Sequence, residues 1–564
     1  MVKGILKTGP INKVLISKYS LIAFFLSSLF FFSSFLKAES YAVATRHHLA
    51  TDIGMKILEE GGNAIDAAFA VAFALAVVNP SAGNLGGGGF MLLHLAESNE
   101  TVSIDYRERA PMKSFEKMFQ DNSGKIIKGL SLNSILASGV PGTVSGMFYA
   151  AERYGTIKVE NLMKPAIELA KKGFVLSNFQ AKNLNKYKEK FSNNKEARET
   201  FTKPGGFFQG DVLVQTNLAK TLQRISQNGK EEFYSGDTAN KISNYFKLNG
   251  GILSLKDLNE YKLRILKPVC GSYRDYEICS MAPPSSGGIA LIQILNILEN
   301  VDLNKLGHNS EEYLKFLVSA MDYAYKDRAQ YLGDPDFYKV PQDLLTSKKY
   351  ADDVYQLILE KKLPKRANIN IVEGDETTHF SIVDKWGNAV SNTYTLNIAY
   401  GSGIVPTGTG ILMNNQMDDF SSKPGYPNAY GLIGSEANKI EPKKTPLSSM
   451  SPVIVFRDDK PYLITGSPGG STIITSVLQE ILNILDFQMS LEESSKKNRI
   501  HFQHIPNILF HEELDKSLIE SLKKEKRLIK RKIGEIHSIL LKEDGIEAFS
   551  DERRPDGKAS SIHK

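Results

Sequence analysis

The chain has few of the residues that mark metal centres and small disulfide-rich folds. Its 564 residues include only two cysteines, Cys270 and Cys279, and one tryptophan. The spacing of the two cysteines does not match a zinc site, and no other segment offers ligands in a metal pattern. The sequence therefore predicts no metal centre.

A strong excess of charge is also missing. The formal net charge is only +6, with 69 basic and 63 acidic residues. No basic helix is interleaved with aromatic residues, so nothing in the pattern indicates nucleic-acid binding. The one dense basic run covers residues 523–532. We predict a solvated helix face there, with a patch for a membrane surface as the alternative.

After residue 36, no hydrophobic run is long enough to span a membrane. Before it, a lysine-containing region leads into the apolar, Phe-rich segment 21–36, followed by Ala38. This pattern predicts a secretory signal peptide over residues 1–38 and an exported protein, periplasmic or secreted. The alternative is an uncleaved N-terminal segment that anchors the protein.

The two cysteines lie in a predicted hairpin. If Arg274 and Asp275 form a two-residue turn, Cys270 lies directly opposite Cys279. Facing strand positions approach closely enough for a bridge, and an exported chain meets an oxidising compartment. A disulfide and two free thiols both remain open at this point.

The order of helices and strands indicates an α/β (α+β) fold in which a sheet layer is covered by helices. Residues 64–78 are nearly all apolar and predict a buried helix. Short strands are predicted at 41–44, 90–95 and 102–106, and hairpins at 375–397 and 453–465. Apolar spacing from 473 to 485 predicts a further helix, which follows a glycine turn at 466–470. Most of 162–358 is predicted to be helical.

Five sequence blocks together resemble the γ-glutamyltransferase (γ-glutamyltranspeptidase) family. They occur in the family's order and with similar spacing, from about Ala42 almost to the C-terminus. The blocks are residues 84–90 (NLGGGGF), 377–381 (TTHFS), 414–420 (NNQMDDF), 446–452 (PLSSMSP) and 466–471 (GSPGGS).

This resemblance implies a fold and a maturation step. The fold would be the four-layer αββα sandwich of N-terminal nucleophile hydrolases, formed jointly by two subunits. One precursor would cut itself between Glu376 and Thr377 into a large subunit, 39–376, and a small catalytic subunit, 377–564. Cleavage frees an α-amino group with an ordinary pKa of roughly 7.7–8.0. That amine can take the proton of the hydroxyl on the same residue.

The resemblance also implies roles for particular residues. Thr377 would be the nucleophile, Thr395 would hydrogen-bond to it, and the N–H groups of Gly469 and Gly470 would form the oxyanion hole. Arg107 would bind the α-carboxylate of the substrate and Asp419 its α-ammonium. The remaining substrate-binding residues would be Asn397, Gln416, Ser448 and Ser449, with Tyr430 on a loop that closes over the pocket.

The implied activity is that of a γ-glutamyltransferase and glutathione hydrolase without metal or organic cofactor. Its partners would be glutathione and other γ-glutamyl compounds, with water or an amino acid or dipeptide as acceptor. Two alternatives are a β-lactam side-chain (cephalosporin) acylase and an inactive homologue that acts as a binding protein. Asp419 favours γ-glutamyl substrates, because an acylase for glutaryl groups has no α-amine to bind.

Three segments depart from the family's usual pattern. Thr472 stands where many members have arginine, residues 499–503 replace a two-histidine run, and residues 551–557 are a looser Asp-Pro-Arg motif. None of them includes a residue of the implied site. We therefore expect them to affect the packing of the subunits and not to touch the catalytic residues.

Overall fold

The computed structural model describes Gly4 and residues 40–364 and 376–563. The predicted signal peptide, residues 1–38, lies outside the described residues apart from Gly4, so it stays a prediction. Within these described ranges, no helix combines the length and the apolar character needed to cross a bilayer.

Seven strands form the first sheet, and they come from both sides of Thr377. Every neighbouring pair is antiparallel. The predicted hairpin after Thr377 supplies the two central members. In spatial order the strands are β18 (Lys558–His563), β1 (Ser40–Thr45), β9 (Thr378–Val383), β10 (Ala389–Thr395), β2 (Gly88–Leu95), β3 (Glu100–Asp105) and β6 (Arg264–Leu266).

The second large sheet has six antiparallel strands and includes the predicted hairpin at 453–465. Its order is β17 (Gly545–Ser550), β16 (His537–Lys542), β12 (Lys460–Thr465), β11 (Val453–Arg457), β8 (Tyr276–Ser280) and β7 (Val269–Tyr273). Two small sheets complete the strands. They contain β13 (Ile500–His501), β14 (Ile508–His511) and β15 (Arg527–Lys530), and β4 (Phe174–Val175) and β5 (Val212–Leu213).

Most of the helices lie before residue 360, where they were predicted. They are α1 (His48–Glu59), α2 (Ala64–Val78), α3 (Leu130–Asn133), α4 (Thr143–Tyr154), α5 (Val159–Lys172), α6 (Asn178–Lys186), α7 (Lys188–Phe191), α8 (Lys195–Phe201), α9 (Thr216–Asn228), α10 (Glu231–Tyr234), α11 (Asp237–Leu248), α12 (Leu255–Asn259), α13 (Gly287–Leu298), α14 (Leu303–Leu306), α15 (Glu311–Tyr331), α16 (Gln342–Leu345), α17 (Lys348–Leu359), α18 (Ile473–Leu485), α19 (Leu491–Lys496) and α20 (Lys516–Leu522). The helix α2 has the predicted bounds and is buried along its whole length.

Side chains on the first sheet alternate between two hydrophobic clusters. Val43 and Met91 belong to the cluster that contains α2, whereas Ala42 and Leu92 belong to the cluster that contains the second sheet, α13 and α18. Successive strand residues point to opposite faces, so the first sheet has helices on one side and the second sheet on the other. The helix α13 covers the outer face of the second sheet. This is the predicted four-layer αββα sandwich.

The cysteine hairpin forms as predicted. Strands β7 and β8 are joined through Arg274 and Asp275, and Cys270 pairs with Cys279 in the register. The two sulfurs form a disulfide. The alternative of two free thiols is therefore wrong.

The prediction of a helix at 523–532 is wrong, although most of the basic side chains in this run are exposed to solvent as expected. Helix α20 ends at Leu522, a turn follows, and Arg527–Lys530 forms β15 in parallel pairing with β14. Leu528 and Ile529 pack against different hydrophobic clusters, as adjacent strand residues do. Lys526 is buried, with its ammonium group 5.3 Å from the centre of the Phe502 ring. The pairing of β15 with β14 and the packing of Leu528 and Ile529 therefore favour a strand over a helix in this run.

Candidate active site

Thr377 lies immediately before the central strand β9, and its side chain is buried. Its Oγ1 donates a hydrogen bond to the carbonyl oxygen of Glu376 at 2.8 Å. The Oγ1 of Thr395, at the end of β10, lies 3.4 Å from Thr377 Oγ1 and donates to the same carbonyl at 3.3 Å. The structure is that of the uncleaved chain, so a hydroxyl lies directly against the peptide bond that precedes it.

The peptide at Thr377 is surrounded by four charged side chains, Arg46, Glu376, Glu535 and Arg554, which we call the cleavage-site cluster. Arg46 Nη1 donates to the carbonyl oxygen of Thr377 at 2.6 Å. Arg46 also pairs with Glu376 and with Glu535, each at 2.9 Å. Arg554 pairs with Glu376 at 3.2 Å and with Glu535. Each of the four residues therefore has two oppositely charged partners.

The cleavage-site cluster is buried, with side-chain exposures of 4–6 % for three members and 15 % for Arg554. Burial by itself would raise the pKa of the Glu376 carboxyl. Arg554 and Arg46 outweigh that effect and hold the pKa below its usual value. Glu376 is therefore an anion in the uncleaved chain, and its side chain fixes the position of the bond that would be cut.

Replacing Glu376 by glutamine is expected to slow autocleavage at least about tenfold. The change leaves two buried arginines with one acid between them, and breaking a buried ion pair costs about 3–5 kcal/mol. A time course of the purified precursor on denaturing gels measures the rate. Glu59→Gln, an exposed residue at the end of α1, is the matched control. Cleavage of Glu376→Gln at the wild-type rate would show that the cleavage-site cluster has no part in positioning the bond.

One pocket beside Thr377 brings together ten of the eleven predicted site residues. It also includes Arg328, which the sequence did not indicate. The predicted residues that line it are Arg107, Thr377, Thr395, Asn397, Gln416, Asp419, Tyr430, Ser448, Ser449 and Gly470. We call this space the head-group pocket. The eleventh residue, Gly469, faces the neighbouring cavity.

Arg107 and Asp419 face each other in the head-group pocket. Arg107 Nη2 donates to Asp419 Oδ2 at 2.6 Å, and Arg107 is only 1 % exposed. Gln416 Nε2 donates to the same carboxylate oxygen at 2.7 Å. A buried cation and a mostly buried anion, 11 % exposed, therefore lie side by side, as the two charges on the α-carbon of an amino acid require.

Two charged residues near Arg107 were missed by the sequence analysis. Arg328 on α15 donates to Ser286 Oγ at 3.0 Å and to Ser449 Oγ at 3.3 Å, so it orients one wall of the pocket. Glu108 lies 3.5 Å from Arg107. Burial raises the pKa of the Glu108 carboxyl to about 7, although Arg107 opposes the shift. No motif around Arg328 marks it, and only the packing of α15 brings it to the pocket.

The glycine turn lies between strand β12 and helix α18, as predicted. Gly469 and Gly470 have φ values of +131° and +57°. A Cβ on Gly470 would lie 2.2 Å from a ring carbon of Tyr430, so only glycine fits there. Among the described residues, neither amide N–H donates a hydrogen bond. The geometry is compatible with an oxyanion hole for a carbonyl attacked by Thr377.

Tyr430 covers the head-group pocket from the loop at 423–431. Its hydroxyl donates to the carbonyl oxygen of Asn397 at 2.7 Å, and the residue is 8 % exposed. Asn397 has a φ of +82°, and its N–H donates to Thr395 Oγ1 at 2.9 Å. The loop is therefore hydrogen-bonded to Asn397, whose N–H also orients Thr395.

One of the three departures from the family pattern contacts a predicted catalytic residue, so the expectation that none of them does is wrong for Thr472. Thr472 Oγ1 donates to the carbonyl oxygen of Gly469 at 2.9 Å. Gln503 Nε2 donates to the carbonyl oxygen of Tyr430 at 3.0 Å. The third segment supplies Arg554 of the cleavage-site cluster.

Within the described parts of the chain, one group of side chains has ligand atoms close enough together to hold a metal. It consists of Cys270, Glu277 and Cys279. Its two sulfurs form the disulfide, so the donor set does not fit a metal ion.

Comparison with known proteins agrees with this geometry. The family model described as gamma-glutamyltranspeptidase matches residues 50–561. The glutathione hydrolase proenzyme of Escherichia coli (strain K12) is 46% identical over 532 residues, which covers 92% of each chain. A Helicobacter pylori gamma-glutamyltranspeptidase structure is 48% identical with a TM-score of 0.54, covering 55% of this chain and 90% of that chain. A cephalosporin acylase from Bacillus halodurans shares the fold, with a TM-score of 0.81 at 24% identity, covering 93% of this chain and 96% of that one.

The αββα sandwich, with a buried threonine at the start of a central strand, defines the class of N-terminal nucleophile hydrolases. Within that class, the chain belongs to the γ-glutamyltranspeptidase family, because the family model covers almost all of the described residues and a glutathione hydrolase proenzyme is 46% identical over nearly its whole length.

Proposed function

We propose that this protein is a γ-glutamyltransferase and glutathione hydrolase, made as one precursor and activated by its own cleavage. The observation that carries the proposal is the Arg107–Asp419 pair in a pocket that also contains Thr377. A γ-glutamyl group presents an α-carboxylate and an α-ammonium at one end and the reactive carbonyl at the other. The pair suits the first end and the threonine suits the second.

Autocleavage begins with the hydrogen bond between Thr377 Oγ1 and the Glu376 carbonyl. In the proposed step, Oγ1 attacks the carbonyl carbon of Glu376, and the bond from that carbon to the Thr377 nitrogen breaks. The nitrogen takes the hydroxyl proton, and the product is an ester between Glu376 and Thr377. Water then hydrolyses the ester, which leaves a carboxylate on Glu376 and a free amine on Thr377. Residues 39–376 and 377–564 become the large and small subunits.

The same hydroxyl then acts on the substrate. With the head group held by Arg107 and Asp419, Thr377 Oγ1 attacks the γ-carbonyl, and the free α-amine of Thr377 takes its proton. The N–H groups of Gly469 and Gly470 stabilise the oxyanion, each contributing about 3–4 kcal/mol in comparable sites. The amide nitrogen leaves with the proton. Water or an amino acid or dipeptide then attacks the γ-glutamyl ester and restores the threonine.

The cellular setting follows from the same proposal. The pattern of residues 1–38 and the disulfide in the hairpin both favour export to an oxidising compartment, periplasmic or external. The acceptors are free amino acids or dipeptides, because the chemistry needs only a primary amine.

The proposal is tested by offering the processed protein two donors that differ only in the α-amine. A γ-glutamyl-anilide carries the amine and a glutaryl-anilide lacks it. We expect at least a tenfold preference in kcat/KM for the γ-glutamyl compound, because the glutaryl compound offers Asp419 no ammonium group to bind. Equal rates for the two donors would favour the acylase alternative.

A further inference from the structure

Arg328 is a buried cation without an acidic partner. It lies on helix α15, it lines the head-group pocket, and it is 5 % exposed. Four arginines are buried in the described part of the chain, and the other three, Arg46, Arg107 and Arg499, each have a carboxylate oxygen within 2.9 Å. Over the same residues Arg328 forms no ion pair. A buried charge without a counterion destabilises a fold, so its presence in a pocket indicates a place for an anionic ligand.

The hydrogen bonds of Arg328 go to two neutral hydroxyl groups. Its Nε donates to Ser286 Oγ at 3.0 Å and its Nη2 donates to Ser449 Oγ at 3.3 Å. Burial lowers the pKa of the Arg328 guanidinium group, but an arginine side chain remains charged in proteins. Ser449 also lines the head-group pocket, so the contact with Ser449 brings a positive charge to that wall of the pocket.

The other arginine of the pocket, Arg107, already has acidic partners. Its Nη2 lies 2.6 Å from Asp419 Oδ2, and its Nη1 lies 3.5 Å from Glu108 Oε2. Two carboxyl groups therefore flank Arg107 before any ligand arrives, whereas none flanks Arg328. The guanidinium group that lacks a counterion in the empty pocket is that of Arg328.

The serine wall beside Arg328 has hydroxyl groups that are free to donate. Ser448 Oγ accepts from the N–H of Met450 at 3.1 Å, and Ser449 Oγ accepts from Arg328. Among the described residues, neither hydroxyl donates a hydrogen bond. A cation that donates to a hydroxyl oxygen polarises the O–H bond and makes that hydroxyl a stronger donor. Two such hydroxyls with a cation behind one of them suit a carboxylate.

We propose that Arg328 is a specificity-determining residue for donors with an α-carboxylate: it adds a second positive charge to that of Arg107 and delivers it to the carboxylate through Ser449. The inference rests on the proposed function and deepens it, because it names a residue that distinguishes an amino acid head group from a simple amine. A donor that keeps the amine and lacks the carboxylate gains nothing from Arg328.

The test compares two donors that differ only in the α-carboxylate, γ-glutamyl-4-nitroanilide and 4-aminobutanoyl-4-nitroanilide, on fully processed protein. The quantity measured is the ratio of kcat/KM for the first donor to that for the second. In Arg328→Gln we expect this ratio to fall roughly 10- to 100-fold, mainly through a higher KM for the γ-glutamyl donor. The matched control is Lys326→Gln, which removes a positive charge from a half-buried side chain on the same helix, outside the pocket.

Inhibition gives a second readout that does not require the 4-aminobutanoyl donor to be cleaved. L-Glutamate and 4-aminobutanoate differ by the same carboxylate, and both are tested against the γ-glutamyl donor. In Arg328→Gln the inhibition constant of L-glutamate should rise by roughly 10- to 100-fold, while that of 4-aminobutanoate stays at the wild-type value.

Arg328→Lys keeps the charge but cannot donate to both serines in the geometry of the planar fork. Its two ratios should therefore fall by a smaller factor, roughly threefold. If Arg328→Gln does not mature, Arg328→Lys decides the question, and wild-type ratios in both measurements would overturn the proposal.

The outcomes separate this inference from the proposed function. If processed wild-type protein does not cleave the γ-glutamyl donor, the proposed function is wrong. If it does and Arg328→Gln keeps the wild-type ratios, only the assignment of Arg328 is overturned. An equal loss with both donors or both inhibitors would also overturn it, because Arg328 would then only support the pocket wall. The same fall in Lys326→Gln would overturn it as an effect of overall charge.

Discussion

A Thr377→Ala variant is expected to remain a single chain and to lose γ-glutamyl transfer activity by a factor on the order of 10⁴ to 10⁶. The physical reason is that one hydroxyl serves both reactions. In the uncleaved chain it is hydrogen-bonded to the Glu376 carbonyl at 2.8 Å. Without it, nothing attacks that carbonyl, the α-amine stays locked in a peptide bond, and neither nucleophile nor base is available.

The measurement is a denaturing gel with N-terminal sequencing, followed by a γ-glutamyl-anilide assay. Thr377→Ser keeps the hydroxyl and should still cleave. Thr378→Val is the matched control one residue further on. Among the described residues, Thr378 Oγ1 is buried without a hydrogen-bond partner, so its removal should leave cleavage intact. If Thr377→Ala still splits at the same bond, Thr377 is not the residue that performs the cleavage.

The second large effect is expected for the two residues that would bind the charged end of the substrate. Arg107→Lys and Asp419→Asn should each reduce kcat/KM for a γ-glutamyl donor by roughly 10- to 150-fold, which corresponds to the loss of one charge-assisted hydrogen bond of about 1.5–3 kcal/mol. Lysine keeps the charge of Arg107 but not the planar fork that binds a carboxylate with two hydrogen bonds. Asparagine keeps the size of Asp419 but not the charge that faces an ammonium group.

Autocleavage distinguishes a role of Arg107 and Asp419 in substrate binding from a role in bond breaking. The cleavage step needs no substrate, so both variants should cleave at Thr377 and only then fail with the donor. Arg109→Lys is the matched control, because Arg109 stands two residues from Arg107 in the same motif but does not line the head-group pocket. Asp419→Asn should also narrow the preference for γ-glutamyl over glutaryl donors. An unchanged preference for γ-glutamyl donors would mean that Asp419 does not bind the α-amine.

The predictions from the sequence were most accurate where a local pattern decides the structure. The helix α2 was predicted with its bounds because a run that is nearly all apolar fits only a buried element. The hairpin of β9 and β10 follows from two β-rich runs that flank a turn in which Gly387 has a φ of +93°. The basic run at 523–532 was misjudged, because a strand with two apolar residues between basic ones is hard to recognise from composition.

The residues of the candidate site show the same difference between what a local pattern predicts and what only tertiary contacts decide. The family resemblance predicted eleven residues, and the structure brings ten of them around one pocket, although their roles remain to be tested. Arg328 and the partners of Glu376 were missed, since each is an ordinary basic or acidic residue in its own segment. The hydrogen bond from Thr472 to the carbonyl oxygen of Gly469 was not expected either.

By itself, the sequence determined the family, the layered α/β architecture, the bond that is expected to be cut and the residues that carry the motifs. These properties depend on short runs of residues whose order and spacing are visible along the chain. Only the tertiary structure decided that Arg46, Glu376, Glu535 and Arg554 form one buried cluster, and that a second cavity adjoins the glycine turn. Such contacts join residues hundreds of positions apart, and the energy of a buried charge depends on the partners that folding places beside it.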